Sequence, residues 1–136
     1  MTQNNIEKKL EHIGQLLKKL QRVLKEWDQK EHEFLLYAAE KMAEEIIETA
    51  ISINQILLKE NLNKISDSYY QSFLDLVELK VFTETEAKKL APTAGFRNRL
   101  AHDYLELDQK IMLKTLKSLL LLYPLYLKKI SRFVEL

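Results

Sequence analysis

Residues 6–27 read IEKKLEHIGQLLKKLQRVLKEW, and this stretch decides the fold class. Its apolar residues recur at intervals of alternately four and three positions, which is the spacing of a seam along one side of an α-helix. Most of the basic residues lie off this seam and predict a solvated face, with contact to RNA as the alternative. The pattern predicts a first helix, from about residue 6 to 27, whose seam is formed by Ile6, Leu10, Ile13, Leu17, Leu20, Leu24 and Trp27.

The rest of the chain supports the same fold class, because it contains few residues that break helices. Only two glycines and two prolines occur in 136 residues. A β-sandwich or barrel needs a turn about every 8–12 residues, so this scarcity favours long helices. The length suits one domain, residues 1–136. We therefore predict an all-α, up-and-down bundle of four or five helices with short connections.

Capping patterns indicate where the second and third helices begin. A capping-box pattern at Asp28 predicts the start of a second helix, which runs to about Lys59. Its apolar and alanine-rich side is wide, which predicts contact with more than one neighbouring helix. A similar pattern at Ser68 predicts a short third helix that ends near Leu79.

The second half of the chain continues the helical pattern. A capping box at Thr83 predicts a fourth helix, which either kinks at Pro92 or gives way there to a new helix. Asp108 is the predicted N-cap of the last helix, about residues 109–133, with a kink at Pro124. No pattern typical of β-strands occurs in the sequence.

Composition limits where the protein acts and what it binds. The chain has no cysteine, which excludes disulfides and thiolate metal sites and fits a cytoplasmic setting. The amino terminus is polar, so no signal peptide is predicted, and the longest apolar run has nine residues, far fewer than a membrane span needs. The net charge is +1, so contact with a nucleic acid would have to be local.

The densest group of chemically active side chains lies in residues 95–104, which read GFRNRLAHDY. On a regular helix, Asn98 and His102 share one face, and Arg97 and Tyr104 share another. Arg97 and His102 are about 140° apart around such a helix. If both act on one ligand, the helix must end or bend near His102, or a second chain must supply part of the site.

These residue types suit RNA cleavage without a metal ion. An arginine fork fits phosphate oxygens, and a histidine can take a proton from a ribose 2′-hydroxyl near neutral pH. One His102 per chain cannot serve as base and acid at once, which favours a dimer. Composition alone leaves structural roles open: a surface ion pair for Arg97, a structural hydrogen bond for His102 and half-buried packing for Tyr104.

The pattern around this stretch resembles the HepT-like toxins of the HEPN superfamily, whose motif is Arg, four residues, His, one residue, Tyr. The resemblance extends over most of the helical chain, and its residues are Ala94-Gly95-Phe96-Arg97-Asn98, His102 and Tyr104.

The resemblance implies a HEPN-like homodimer and a metal-independent ribonuclease without a cofactor, in which Arg97 and His102 are catalytic and Asn98 supports them. It implies a type VII toxin–antitoxin partner, an MntA-type nucleotidyltransferase, that silences the toxin by transferring AMP to Tyr104. Two alternatives are a non-catalytic substrate-binding subunit of a nucleotidyltransferase and a dimeric helical scaffold.

Overall fold

The computed structural model describes residues 2–102 and 109–135, with side chains for residues 4–97 and 109–135. This part of the chain is all-α and contains no strand, which confirms the predicted fold class. None of its helices is long and apolar enough to cross a bilayer. The helices are α1 (Thr2–Gln29), α2 (Glu33–Leu62), α3 (Tyr69–Asp75), α4 (Glu84–Leu90), α5 (Pro92–His102) and α6 (Gln109–Phe133).

The seam of α1 is buried, as its spacing predicted. All seven predicted seam residues are less than 9% exposed. They face α2, which forms an antiparallel hairpin with α1, and α6. A Cβ built on Gly14 would lie 4.0 Å from Leu127 Cδ1, so α1 and α6 approach closely there. The heptad-like pattern therefore corresponds to an intramolecular seam.

α2 is the central helix, because it contacts α1, α3, α5 and α6. This confirms the prediction that its wide apolar side meets more than one neighbour. The small side chains let partner helices approach closely. The buried apolar residues of α2 are Ala39, Ala43, Ile46, Ile47, Ala50, Ile51, Ile53, Leu57 and Leu58.

The predicted capping box at Asp28 is wrong. The backbone N–H of Lys30 still donates to Glu26 O at 2.9 Å, so α1 continues through this position. The Asp28 carboxylate instead lies 3.7 Å from Lys117 Nζ of α6. The N-cap of α2 is His32, whose Nδ1 accepts a hydrogen bond from the Phe34 backbone N–H at 3.2 Å. Histidine is not among the preferred N-cap residues, so no capping pattern in the sequence predicts it.

The short helices begin where predicted, but α3 ends earlier. Ser68 caps α3 by accepting from the Gln71 N–H at 3.0 Å, and the Thr83 capping box is complete in both directions. α3 ends at Asp75 instead of near Leu79. From there the backbone bonds join residues three apart, which tightens the chain into turns.

Pro92 begins a new helix, which decides between the two predicted alternatives. α4 ends at Leu90 and α5 starts at Pro92, with Ala91 alone between them. Proline suits the first position of a helix, where no N–H is needed. The last helix matches its predicted bounds and contains Pro124, while Asp108 lies outside the described residues.

Candidate functional site

α5 carries the first part of the chemically dense stretch. Its backbone is helical from Pro92 through His102, so the helix does not end between Arg97 and His102. The side chains of Asn98 and His102, and all of Tyr104, lie outside the described residues. Of the four predicted site residues, the structure therefore describes the side chain of Arg97 alone.

The first turns of α5 are fixed in the core. Thr93, Ala94 and Phe96 are buried. The Thr93 hydroxyl donates to Leu90 O at 2.7 Å and lies 2.8 Å from the hydroxyl of Tyr123, a fully buried residue of α6. Burial raises the pKa of Tyr123, so its hydroxyl stays neutral at physiological pH. These contacts hold the base of the helix that presents Arg97.

Arg97 forms an ion pair with Glu48 of α2. Its Nε lies 3.0 Å and its Nη2 2.6 Å from Glu48 Oε1. The Arg97 side chain is 23% exposed and that of Glu48 is 44% exposed, so solvent screens the pair. A pair of this kind contributes at most about 1 kcal/mol to stability. Its other consequence is positional, because it holds the guanidinium on the α2 side of α5.

Sequence reasoning did not find Glu48. The two residues are 49 positions apart, and no helical spacing rule relates positions on different helices. Only the packing of α5 on α2 brings them together. The ion pair that composition suggested for Arg97 is therefore present, and it lies at the edge of a concave surface.

Two shallow concavities meet beside this pair. One, of about 210 Å³, is lined by Glu48, Ile51, Ser52, Gln55, Tyr69 and Arg97. The other, of about 420 Å³, is lined by Gln55, Ser66, Asp67, Ser68, Tyr69, Tyr70, Ala94 and Gly95. Gln55 and Tyr69 line both. An extended ligand can therefore lie along this surface and reach the Arg97 guanidinium.

The N-terminal end of α2 carries a second exposed surface. Phe34 is 70% exposed and Tyr37 is 55% exposed, and with Glu33, Leu36 and Glu40 they line a concavity of about 410 Å³. Burial raises the pKa of the Glu40 carboxyl. Large exposed aromatic side chains in one place are typical of a protein–protein contact. We call these five residues the Phe34 surface.

The direction of α5 relative to α2 follows from the residues that lie side by side. Gly95 lies beside Gln55, whereas Arg97 lies beside Glu48, so α5 runs antiparallel to α2. His102 is five residues beyond Arg97, about 7.5 Å further along the helix axis. The axis of α5 therefore leads toward the N-terminal half of α2. Within the described side chains, no group of three or more His, Asp or Glu residues is placed to hold a metal ion.

A family model described as "Ribonuclease HepT-like" matches residues 6–135, nearly the whole chain. The chain belongs to the HepT-like ribonuclease family. This confirms the family resemblance predicted from the motif around Arg97 and His102.

A curated relative carries the same family name. It is the tRNA nuclease HepT of Aphanizomenon flos-aquae (strain 2012/KM1/D3), which is 30% identical over 95 residues. The match covers 70% of this chain and 65% of the relative, so the chain spans slightly less than two thirds of that protein's length.

Solved structures of HepT-like proteins share the fold. A chain of the mutant toxin–antitoxin MntA-HpeT superposes with a TM-score of 0.81 at 21% identity, covering 93% of this chain and 97% of that one. The structure of a tri-AMPylated Shewanella oneidensis HEPN toxin with its MNT antitoxin gives a TM-score of 0.76 at 23% identity, covering 96% and 93%. At these identities the likeness establishes the fold alone.

Proposed function

We propose that this chain is the toxin of a type VII toxin–antitoxin pair and an endoribonuclease that cleaves RNA without a metal ion. The observation that carries the proposal is the family match over residues 6–135, within which Arg97 and His102 lie on one continuous helix. Arg97 lies at the rim of an open concavity, where a phosphate can reach it. A substrate of RNA and the absence of cysteine fit action in the cytoplasm.

The proposed reaction is an intramolecular transesterification of RNA, in which the ribose 2′-oxygen replaces the 5′-oxygen on the adjacent phosphorus. His102 takes the proton of the 2′-hydroxyl, and the 2′-oxygen forms a bond to the adjacent phosphorus. The bond from phosphorus to the 5′-oxygen breaks, and that oxygen takes a proton from an acid. Arg97 stabilises the negative charge on the phosphoryl oxygens, and Asn98 supports the site. The products are a cyclic phosphate end and a free 5′-hydroxyl end.

The proposed active form is a homodimer. One His102 cannot give and take a proton in the same step, so a second copy supplies the acid. Arg97 and His102 are also about 140° apart on the regular helix, which separates them within one chain. The Phe34 surface offers exposed aromatic area for the contact between copies.

The direct test is cleavage by the purified protein in excess EDTA. We expect unstructured RNA to be cut at an undiminished rate, with cyclic phosphate ends detected by mass spectrometry. Cleavage that stops in EDTA and returns with one divalent ion would contradict the metal-independent mechanism. A protein that cuts no RNA but forms a stable complex with a nucleotidyltransferase would instead be a non-catalytic binding subunit. The family match favours the nuclease over that alternative.

Tyr104 is the proposed site of silencing by an MntA-type nucleotidyltransferase. Its phenolic oxygen attacks the α-phosphorus of ATP, a phosphodiester forms, and pyrophosphate leaves. On a regular helix Tyr104 would share a face with Arg97, so the added phosphate would bring negative charge near the guanidinium and repel RNA there. The structure named for a tri-AMPylated HEPN toxin gives this modification a precedent in another protein.

Intact mass after incubation with the nucleotidyltransferase and ATP is expected to rise by whole AMP units. The substitution Tyr104→Phe is expected to prevent the rise, because phenylalanine has no acceptor oxygen. Tyr70→Phe is the matched control, since Tyr70 is 45% exposed and lies outside the motif. A full rise in Tyr104→Phe would place the acceptor on another residue.

A further inference from the structure

The two concavities near Arg97 adjoin one another, because Gln55 and Tyr69 line both, and together they form a groove. We call it the Tyr69 groove. It begins at the Arg97–Glu48 ion pair, passes between α2 and the start of α3, and reaches Gly95 on α5. A ligand in the groove therefore lies next to any ligand group that the Arg97 guanidinium binds.

Tyr69 gives the groove an aromatic wall. Tyr69 and its neighbour Tyr70 are each 45% exposed, and within the described residues neither ring stacks on another aromatic ring. The backbone of Tyr69 is fixed, because its carbonyl accepts a hydrogen bond from the buried Ser72 hydroxyl at 2.7 Å. A half-exposed ring on a fixed backbone suits stacking with a flat, uncharged ligand.

Gln55 gives the groove a hydrogen-bonding group that the fold does not use. Its side chain is exposed and makes no hydrogen bond to another described residue. The adjacent Asn54 differs, because it is buried and bonds to Ser72 and Tyr126. The Ser66 and Ser68 hydroxyls are also used by the fold. Ser66 donates a hydrogen bond to Asp75, and Ser68 accepts one from the Gln71 N–H. The Gln55 amide can donate and accept, as the edge of a nucleobase requires.

The charges and the space favour a base over a phosphate. Among the described residues that line the groove, Arg97 is the only cationic one, and Glu48 and Asp67 are anionic. These carboxylates would repel a second phosphate in the groove. A Cβ built on Gly95 meets no atom within 4 Å, so the groove is open at this point.

We infer that the Tyr69 groove binds an unstacked nucleobase of single-stranded RNA, beside the phosphate held at Arg97. Tyr69 stacks on the base and Gln55 contacts its edge. RNA-binding proteins commonly recognise splayed-out bases by this combination of aromatic stacking and hydrogen bonding. The inference rests on the proposed ribonuclease function for its choice of ligand, and it adds a base-binding subsite to that function.

Binding of a 2′-O-methyl RNA oligomer tests the inference without cleavage, because the oligomer has no 2′-hydroxyl. We expect Tyr69→Ala to weaken binding at least about fivefold, the lower end of the effect of removing one stacking ring. Tyr69→Phe keeps the ring and should bind like the wild type. Gly95→Leu should weaken binding by filling the groove. Thermal melting of each variant checks that the fold is retained.

An oligomer with abasic positions should bind Tyr69→Ala and the wild type alike, since no base is left to stack. Unchanged binding of the full oligomer by both Tyr69→Ala and Gly95→Leu would overturn the inference. So would normal RNA binding by Gly95→Leu with loss of the nucleotidyltransferase complex, which would make the groove a protein contact. A wild type that binds the oligomer through Tyr69 but cuts no RNA would refute the proposed ribonuclease and leave the base subsite standing.

Discussion

Replacing His102 by alanine is expected to lower RNA cleavage by about 10²–10⁴-fold, the usual effect of losing a general acid–base group. Growth inhibition in cells should be lost with it, while the oligomeric state by light scattering should not change. His12→Ala is the matched control, because His12 is half-exposed on α1, is not part of the motif, and pairs through its ring nitrogen with Glu45 at 2.8 Å. Equal cleavage by the wild type and His102→Ala would remove His102 from the mechanism.

Substitutions of Arg97 and Glu48 test the same proposed mechanism independently of His102. Arg97→Ala should slow single-turnover cleavage by about 10²–10³-fold, as loss of an oxyanion donor does. Arg97→Lys should recover part of this, since lysine keeps the charge without the fork. Glu48→Gln should lower kcat less than Arg97→Ala, because it weakens the hold on a guanidinium that is still present. The KM of Glu48→Gln should not exceed that of the wild type, because removing a carboxylate favours RNA binding. A fall in melting temperature with unchanged kcat would make Glu48 only structural.

The second large effect concerns stability. Tyr126→Ala is expected to lower the free energy of unfolding by about 3–5 kcal/mol, the range for truncating a buried aromatic residue. Tyr126 is fully buried, and its hydroxyl lies 2.7 Å from Asn54 Oδ1 and 2.9 Å from Ala50 O. Truncation leaves a cavity and unpaired buried acceptors. Urea unfolding followed by circular dichroism measures the change.

Two phenylalanine variants separate packing from hydrogen bonding. Tyr126→Phe removes only the hydroxyl and should cost about 1–3 kcal/mol. Tyr123→Phe should cost less, because its partner Thr93 keeps a hydrogen bond to Leu90 O. Burial raises the pKa of Tyr126, so its contribution is complete below the unfolded-state value of about 10 and is lost as pH rises above it. The stability gap between wild type and Tyr126→Phe should therefore narrow at alkaline pH. A Tyr126→Ala protein as stable as wild type would show that this network contributes little.

Local patterns explain what the sequence predicted well. The α1 seam and the Thr83 capping box depend on residues three or four apart, and the structure contains both. The bounds of α6 followed from a long apolar pattern. The family motif depends on short spacing too, which is why the sequence alone indicated the family correctly.

The missed contacts of the site and of the core join distant parts of the chain. No periodicity marks Tyr126 as a buried residue of α6, because residues 119–127 are all apolar or proline. Tyr126 nevertheless joins α6 to the buried Asn54 of α2. Glu48 was missed because the packing of α5 on α2 alone brings it to Arg97. The roles of Asn98, His102 and Tyr104 stay predictions, because their side chains lie outside the described residues.

The short spacing from Pro92 to Arg97 limits which changes in length the protein can tolerate near its motif. Thr93 and Phe96 are buried, so this part of α5 has a fixed rotation against the core. A residue gained or lost between Pro92 and Arg97 turns the guanidinium by about 100° around the helix, away from Glu48. The five-residue step from Pro92 to Arg97 must therefore stay constant for the ion pair to form.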